Sequence, residues 1–159
     1  MQVERRAAYS EPPQPPSSTA SIAGHPIHPM LVPFPIAFFA AALVTDIAYW
    51  RTADLQYSNF SSWLIAGGLV MGALAALAGL TDFIANSRIR AQRPAWPHAL
   101  GNIVAMLLAL VNAFVHGRDG WTGVVPWGLA LSAAVVLILL VTGWLGGALV
   151  YRHRVGVQP

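Results

Sequence analysis

The chain has 159 residues, 56% of them hydrophobic and only 9% charged, with a formal net charge of +3. A soluble domain carries about 25% charged residues, and here the charges cluster between long charge-free runs, so the composition indicates one polytopic membrane domain. The absence of Cys excludes disulfides, thiolate metal sites, iron–sulfur clusters and covalent c-type haem, and the all-Arg cations form no basic face of the kind nucleic-acid binding needs.

Residues 1–21 hold Glu4, Arg5, Arg6 and Glu11, then four prolines around Gln14, then Ser17-Ser18-Thr19. This is the composition of a disordered or extended tail. The apolar run after it is too long for the core of a signal peptide and lacks a clear cleavage site, so it reads as a retained helix. At its mouth stands Gly24-His25-Pro26-Ile27-His28-Pro29. Proline disfavours the α region for the residue before it and is tolerated in a helix's first turn, so this reads as a stiff polar entrance.

Four spans follow within a single domain over 22–151. The first covers about 29–50, with Pro33 and Pro35 distorting its first turns and Asp46 near its far end. A loop over 51–62 carries Asp54. The second covers about 63–86, and its Gly68 and Gly72 form a small-xxx-small pair suited to close helix approach. The third covers about 97–115, bracketed by His98 and His116. The fourth, about 121–151, is free of charge and carries a second close-packing pair, Gly143 and Gly147. Residues 152–159 form a short tail. Each span is near or above the ~20 residues needed to cross a bilayer. Trp50, Trp63, Trp96 and Trp121 are expected at span ends as interfacial aromatics.

Seven Arg (5, 6, 88, 90, 93, 152 and 154) fall on one side and two (51 and 118) on the other. The positive-inside rule then makes both termini cytoplasmic. The fold class is all-α: a four-helix transmembrane bundle, N-in and C-in, in the cell's inner (plasma) membrane.

The polar residues fall at two depths. His25, His28, Asp82 and His98 are expected on the cytoplasmic side, and Asp46 and His116 on the outer side. His98 and His116 are five full turns apart, so they share one helix face, and Asn102, Ala105, Ala109 and Asn112 fall within about 40° of it. Such a stripe turns toward the bundle interior, because lipid would leave the amides unpaired. Asp46 and His116 suit a hydrogen-bonded pair, Asn102 and Asn112 suit interhelical contacts, and Asp82 suits a cap or an interfacial pairing. His153, between two Arg, is expected to be solvated.

For His25, His28 and His98 three readings stay open. His28 and His98 can be axial ligands of a b-type haem, with His25 as the alternative ligand and Asp82 orienting one ring. The same four residues can bind one transition-metal ion. Or the cluster handles protons without a cofactor. Leu43-Val44-Thr45-Asp46, Gly79-Leu80-Thr81-Asp82 and Leu140-Val141-Thr142-Gly143 echo one another, and His28 and His98 both open a span beside Pro. A duplicated hairpin and convergent use of small residues both account for this.

The GHPIHP entrance, Pro33-Phe34-Pro35-Ile36, Thr81-Asp82 and Pro97-His98-Ala99-Leu100-Gly101-Asn102 together resemble an uncharacterised family of four-helix bacterial membrane proteins, domain of unknown function 2231, over roughly residues 22–150. The resemblance implies a redox association, because family members are sometimes joined to redox modules. The expected function is therefore a small cofactor-binding electron-transfer subunit with a quinone or redox partner and no enzymatic activity of its own. A transport or proton-handling module along the His–Asp–Asn line and a structural subunit are the alternatives. Homo-oligomerisation through the Gly-rich faces is a further expectation, and no hydrolase motif is present.

Overall fold

The computed structural model describes residues 14–157, and the expected disorder of residues 1–13 lies outside them. Two short strands, β1 (Ser21–Ile22) and β2 (His25–Pro26), pair antiparallel with Ile22 opposite His25. Seven helices follow: α1 (Ile27–Leu31), α2 (Pro33–Thr52), α3 (Leu55–Ala85), α4 (Ser87–Arg90), α5 (Ala95–His116), α6 (Gly120–Val124) and α7 (Trp127–Tyr151). Four stretches are long and apolar enough to cross a membrane: Ile27–Thr52, Leu55–Ala85, Ala95–His116 and Gly120–Tyr151. The protein is thus an all-helical four-span bundle. Its outward faces carry exposed Val44, Val70, Leu77, Leu107, Leu137 and Leu140, among others. In water such a surface would aggregate, whereas in lipid it is solvated.

The loop expected over 51–62 is instead helical from Leu55. Asp54 is an N-cap, its carboxylate accepting the Gln56 N–H at 2.9 Å, and Ala53 takes a left-handed φ of 55° to reverse the chain. The polar composition of 55–62 concealed a helix that a cap and a two-residue turn make possible. Trp63 accordingly lies two turns inside α3 rather than at its end. At 31 residues α3 is about 46 Å long against a hydrocarbon thickness of about 30 Å, so its polar first turns extend beyond the apolar band that Trp63 begins.

Residues 14–21, expected as free tail, are tied to the bundle. Ile27 N–H donates to Ala20 O at 2.9 Å, and Gly156 N–H donates to Pro16 O at 2.8 Å. Both described ends of the chain therefore lie at one end of the bundle, called here the terminal end. The α2–α3 turn and the 117–126 link form the opposite, loop end, where Tyr49 packs on Trp121 with ring centroids 6.0 Å apart.

The two halves repeat. In the first helix pair Pro35, Phe39, Ala42 and Asp46 are buried; seventy positions later so are Ala105, Ala109, Asn112 and His116. Ser61, Ile65, Gly68 and Ala75 of α3 are matched sixty-seven positions later by Gly128, Ser132, Val135 and Thr142 of α7. The chain is thus two helical hairpins that repeat the same pattern of buried positions. The tetrapeptides around residues 43, 79 and 140 do not occupy equivalent places, so their likeness is not the repeat. The His28/His98 equivalence is. Gly68 and Gly72 are filled within the chain, because a Cβ would lie 2.6 Å from the Phe39 ring and 2.6 Å from Met106 Sδ respectively. Gly143 has nothing within 4 Å of such a position and faces outward.

Candidate functional site

At the terminal end, the GHPIHP segment divides its labour. Ala23 and Gly24 make the hairpin turn with φ of 49° and 80°, the left-handed pair that favours glycine. Pro26 is the N-cap of α1, and Pro29 sits in its first turn. This turns His28 inward and leaves His25 exposed, its Nδ1 3.0 Å from Ala23 O. His25 therefore does not join the expected cluster, because β2 carries it away from the bundle axis.

His28 and His98 do meet. Their ring centroids are 6.0 Å apart and their planes are nearly perpendicular, at 87°. Their supports are duplicated as well. His28 Nδ1 is 2.7 Å from Ala75 O, and His98 Nδ1 is 2.9 Å from Thr142 O. A carbonyl only accepts, so each Nδ1 carries the proton and each Nε2 presents its lone pair. Four residues after each carbonyl stands a glycine that receives the ring. A Cβ on Gly79 would lie 2.8 Å from His28 Nδ1, and one on Gly146 would lie 3.0 Å from His98 Cε1. Asn102 adds a bond from its amide to His98 O at 2.7 Å and accepts from Thr142 Oγ1 at 3.3 Å.

Asp82 is at this end but does not orient either ring. Its Oδ1 accepts the backbone N–H groups of Thr19 and Ala20 at 2.6 and 2.7 Å, and its Oδ2 accepts from Ser18 Oγ at 2.7 Å. Three donors on one segment engage both carboxylate oxygens, so Asp82 anchors residues 18–20 over the end of α3. With His25 and Asp82 both elsewhere, the four-residue metal cluster does not assemble. Among the described residues no group of three His, Cys, Asp or Glu side chains is positioned to hold a metal ion.

At the loop end a second polar group is closed upon itself. Asp46 is fully buried, with His116 Nε2 2.9 Å from its Oδ1 and Ser132 Oγ donating to its Oδ2 at 2.5 Å. Asn112 donates to Ser132 Oγ at 2.8 Å, and His116 Nδ1 lies 3.0 Å from Asn112 Oδ1 and 3.1 Å from Asn112 O. Both oxygens near Nδ1 are acceptors, so Nδ1 is protonated. The Ser132 hydroxyl proton is committed to Asp46. One proton remains between Nε2 and Oδ1, which leaves the pair neutral overall. Asp46 and His116 occupy equivalent positions of the two hairpins, so this pair, like His28–His98, joins matching positions of the two halves.

The two polar groups are separated by an apolar layer. Phe39, Ala105, Ala109 and Val135 are buried there, with Leu69, Met106 and Leu139 packed around them. Asn102 and Asn112, the nearest polar side chains of α5 on either side, are ten residues or about 15 Å apart along the helix. Sequence reasoning found the α5 stripe but missed Ser132 and Thr142 on α7, Gly79 and Gly146 under the rings, and Ser18. The positions of Ser132 and Thr142 as polar residues in the otherwise apolar middle of α7 were the available signal for the first two.

A bundle of four long apolar helices, with one buried polar pair and one half-buried histidine pair between them, is the architecture of a polytopic membrane protein. Residues 24–159 match the family described as predicted membrane protein (DUF2231), and the chain belongs to that family. Neither a curated protein nor a solved structure matches the chain.

Proposed function

We propose that His28 and His98 would hold a b-type haem, in a small membrane subunit that would pass electrons between a quinone and a redox partner. The observation that carries this reading is the duplicated arrangement of the two rings. Each imidazole has Nδ1 fixed on a carbonyl four residues before a glycine and its lone pair on Nε2, which at His98 lies 3.5 Å from the Asn102 amide nitrogen, with centroids 6.0 Å apart. Hydrogen bonding of Nδ1–H to a carbonyl is the arrangement metal-ligating histidines use, fixing the tautomer and raising the basicity of the other nitrogen.

The donor set favours haem over a bare ion. Two imidazoles without a third protein donor do not complete the tetrahedron of zinc, whereas a porphyrin supplies the other four ligands of a haem iron. A bound haem would supply one-electron chemistry. The residues' part would be to hold each ring by its Nδ1–H, on Ala75 O and Thr142 O, so that Nε2 keeps its lone pair. The transport alternative is less well supported, because the buried Phe39, Ala105, Ala109 and Val135 interrupt the polar line.

The orientation with both termini cytoplasmic belongs to the same proposal, as does the inner-membrane location. It is supported by Arg88, Arg90, Arg93, Arg152 and Arg154 at the terminal end against Arg51 and Arg118 at the loop end. The haem site would then face the cytoplasmic side. The test is an absorption spectrum of the detergent-purified protein, oxidised and dithionite-reduced, with elemental analysis. A Soret band lost in His28→Ala and His98→Ala but kept in His25→Ala is expected. A colourless protein without stoichiometric iron would overturn the haem reading. Stoichiometric copper or zinc without a Soret band would move it to a bare ion.

A further inference from the structure

Away from both polar pairs, three pieces of chain converge at the terminal end around a recess of about 350 Å³. Residues 14–16 form one wall. Arg88 of α4 and Gln92 form the second, and Arg152, His153 and Arg154, just past α7, form the third. His153, expected to be solvated, thus lines a recess. The walls are tied by hydrogen bonds. Gly156 N–H donates to Pro16 O at 2.8 Å, with Gly156 in the left-handed region at φ 75°. The Arg88 guanidinium donates to Gln14 O, and Gln92 Nε2 donates to Arg88 O at 3.1 Å. Val155 N–H returns to Leu149 O at 3.0 Å, folding the segment after α7 back on the bundle.

The chemistry of the recess is one-sided. It is lined by three guanidiniums and an imidazole, and none of its lining residues is Asp or Glu. Each guanidinium carries five donors and stays charged. Arg88 keeps donors beyond those used on Gln14. All three arginines are exposed, so their spare donors are open to an anion that enters the recess. The recess begins where α7 ends at Tyr151, so it lies at the membrane–water boundary, the level of lipid phosphates.

We propose that this recess binds a phosphate-bearing anion, with the headgroup of an acidic phospholipid as its occupant. The guanidiniums of Arg152 and Arg154 clasp the phosphate oxygens while Arg88 holds the 14–16 wall in place. Because residues 14–20 also run to Asp82 beside α3, the lipid would fasten the terminal segments onto the bundle. This site is independent of any metal centre.

The test uses the full-length protein in nanodiscs of phosphatidylcholine and phosphatidylglycerol, reading retained lipid by native mass spectrometry. Phosphatidylglycerol should be retained selectively. Arg152→Gln with Arg154→Gln leaves the Arg88–Gln14 tie intact and should weaken retention about 25-fold, roughly fivefold for each arginine. Arg51→Gln with Arg118→Gln, at the loop end, should leave it unchanged. Competition by inorganic phosphate would support a general phosphate site, and resistance to it would support the lipid alone. Unchanged retention in the Arg152/Arg154 variant would overturn the proposal, as would equal loss in both pairs.

Discussion

Replacing Asp46 tests the proton accounting of the loop-end network. Asp46→Ala removes the partner of His116 Nε2 and the acceptor of the Ser132 hydroxyl, at 2.9 and 2.5 Å. Interhelical bonds of this kind are worth about 1 kcal/mol each in membranes. A buried group left unsatisfied adds roughly 1–3 kcal/mol. The expected loss is therefore about 3–5 kcal/mol. Asp46→Asn is different because the tautomer of His116 is already fixed with its proton on Nδ1. The introduced amide can donate to the Nε2 lone pair and accept from Ser132, so both bonds persist and the loss should be about 1 kcal/mol or less. Reversible unfolding in mixed micelles, titrated with a denaturing detergent, measures both. If the asparagine costs as much as the alanine, the hydrogen-bond pattern assigned to His116 is wrong. If the alanine costs nothing, the network does not hold the loop end together.

Three further outcomes follow from the packing. Gly79→Ala should abolish any metal-centre signal as completely as His28→Ala, because its Cβ would lie 2.8 Å from His28 Nδ1; Gly67→Ala, with its Cβ at an ordinary 3.6 Å from Phe38, is the control read in the same spectrum. Gly68→Ala should cost about 1–3 kcal/mol by overpacking Phe39, whose ring would be 2.6 Å away, and adding Phe39→Leu should recover part of the loss in the same unfolding assay. Asp82→Ala should leave the helices intact but free residues 18–20, raising amide exchange at Thr19 and Ala20 by about tenfold or more, since each loses a charge-assisted bond; unchanged protection would show that Asp82 is not their anchor.

The GHPIHP segment shows where legibility stopped. The prolines and the glycine were readable as an entrance, but not that Gly24 turns a two-residue hairpin and so separates His25 from His28. The depth of Asp82 was readable, but not its capture by Ser18, Thr19 and Ala20. A carboxylate at a helix end accepts whichever donors arrive, and the donors here lie more than sixty positions away in sequence. The faint echo between the halves was visible only at the histidines, because the repeat is preserved in which positions are buried and not in their identities. Asp46 is matched by His116, and Phe39 by Ala109.

The sequence by itself determined four spanning helices and the α5 face that carries His98, Asn102, Ala105, Ala109, Asn112 and His116. Both follow from local rules. A bilayer demands backbone hydrogen bonds satisfied within each segment, and the helix period then fixes which side chains share a face. Only the tertiary structure decided that His28 faces His98, that Asp46 closes on His116 and Ser132, and that Asp82 serves the N-terminal segment. Those pairings depend on the rotation of each helix about its own axis and on where glycines let a ring approach a neighbouring backbone. That rotation is set by packing between helices and is not encoded in the spacing along any one of them.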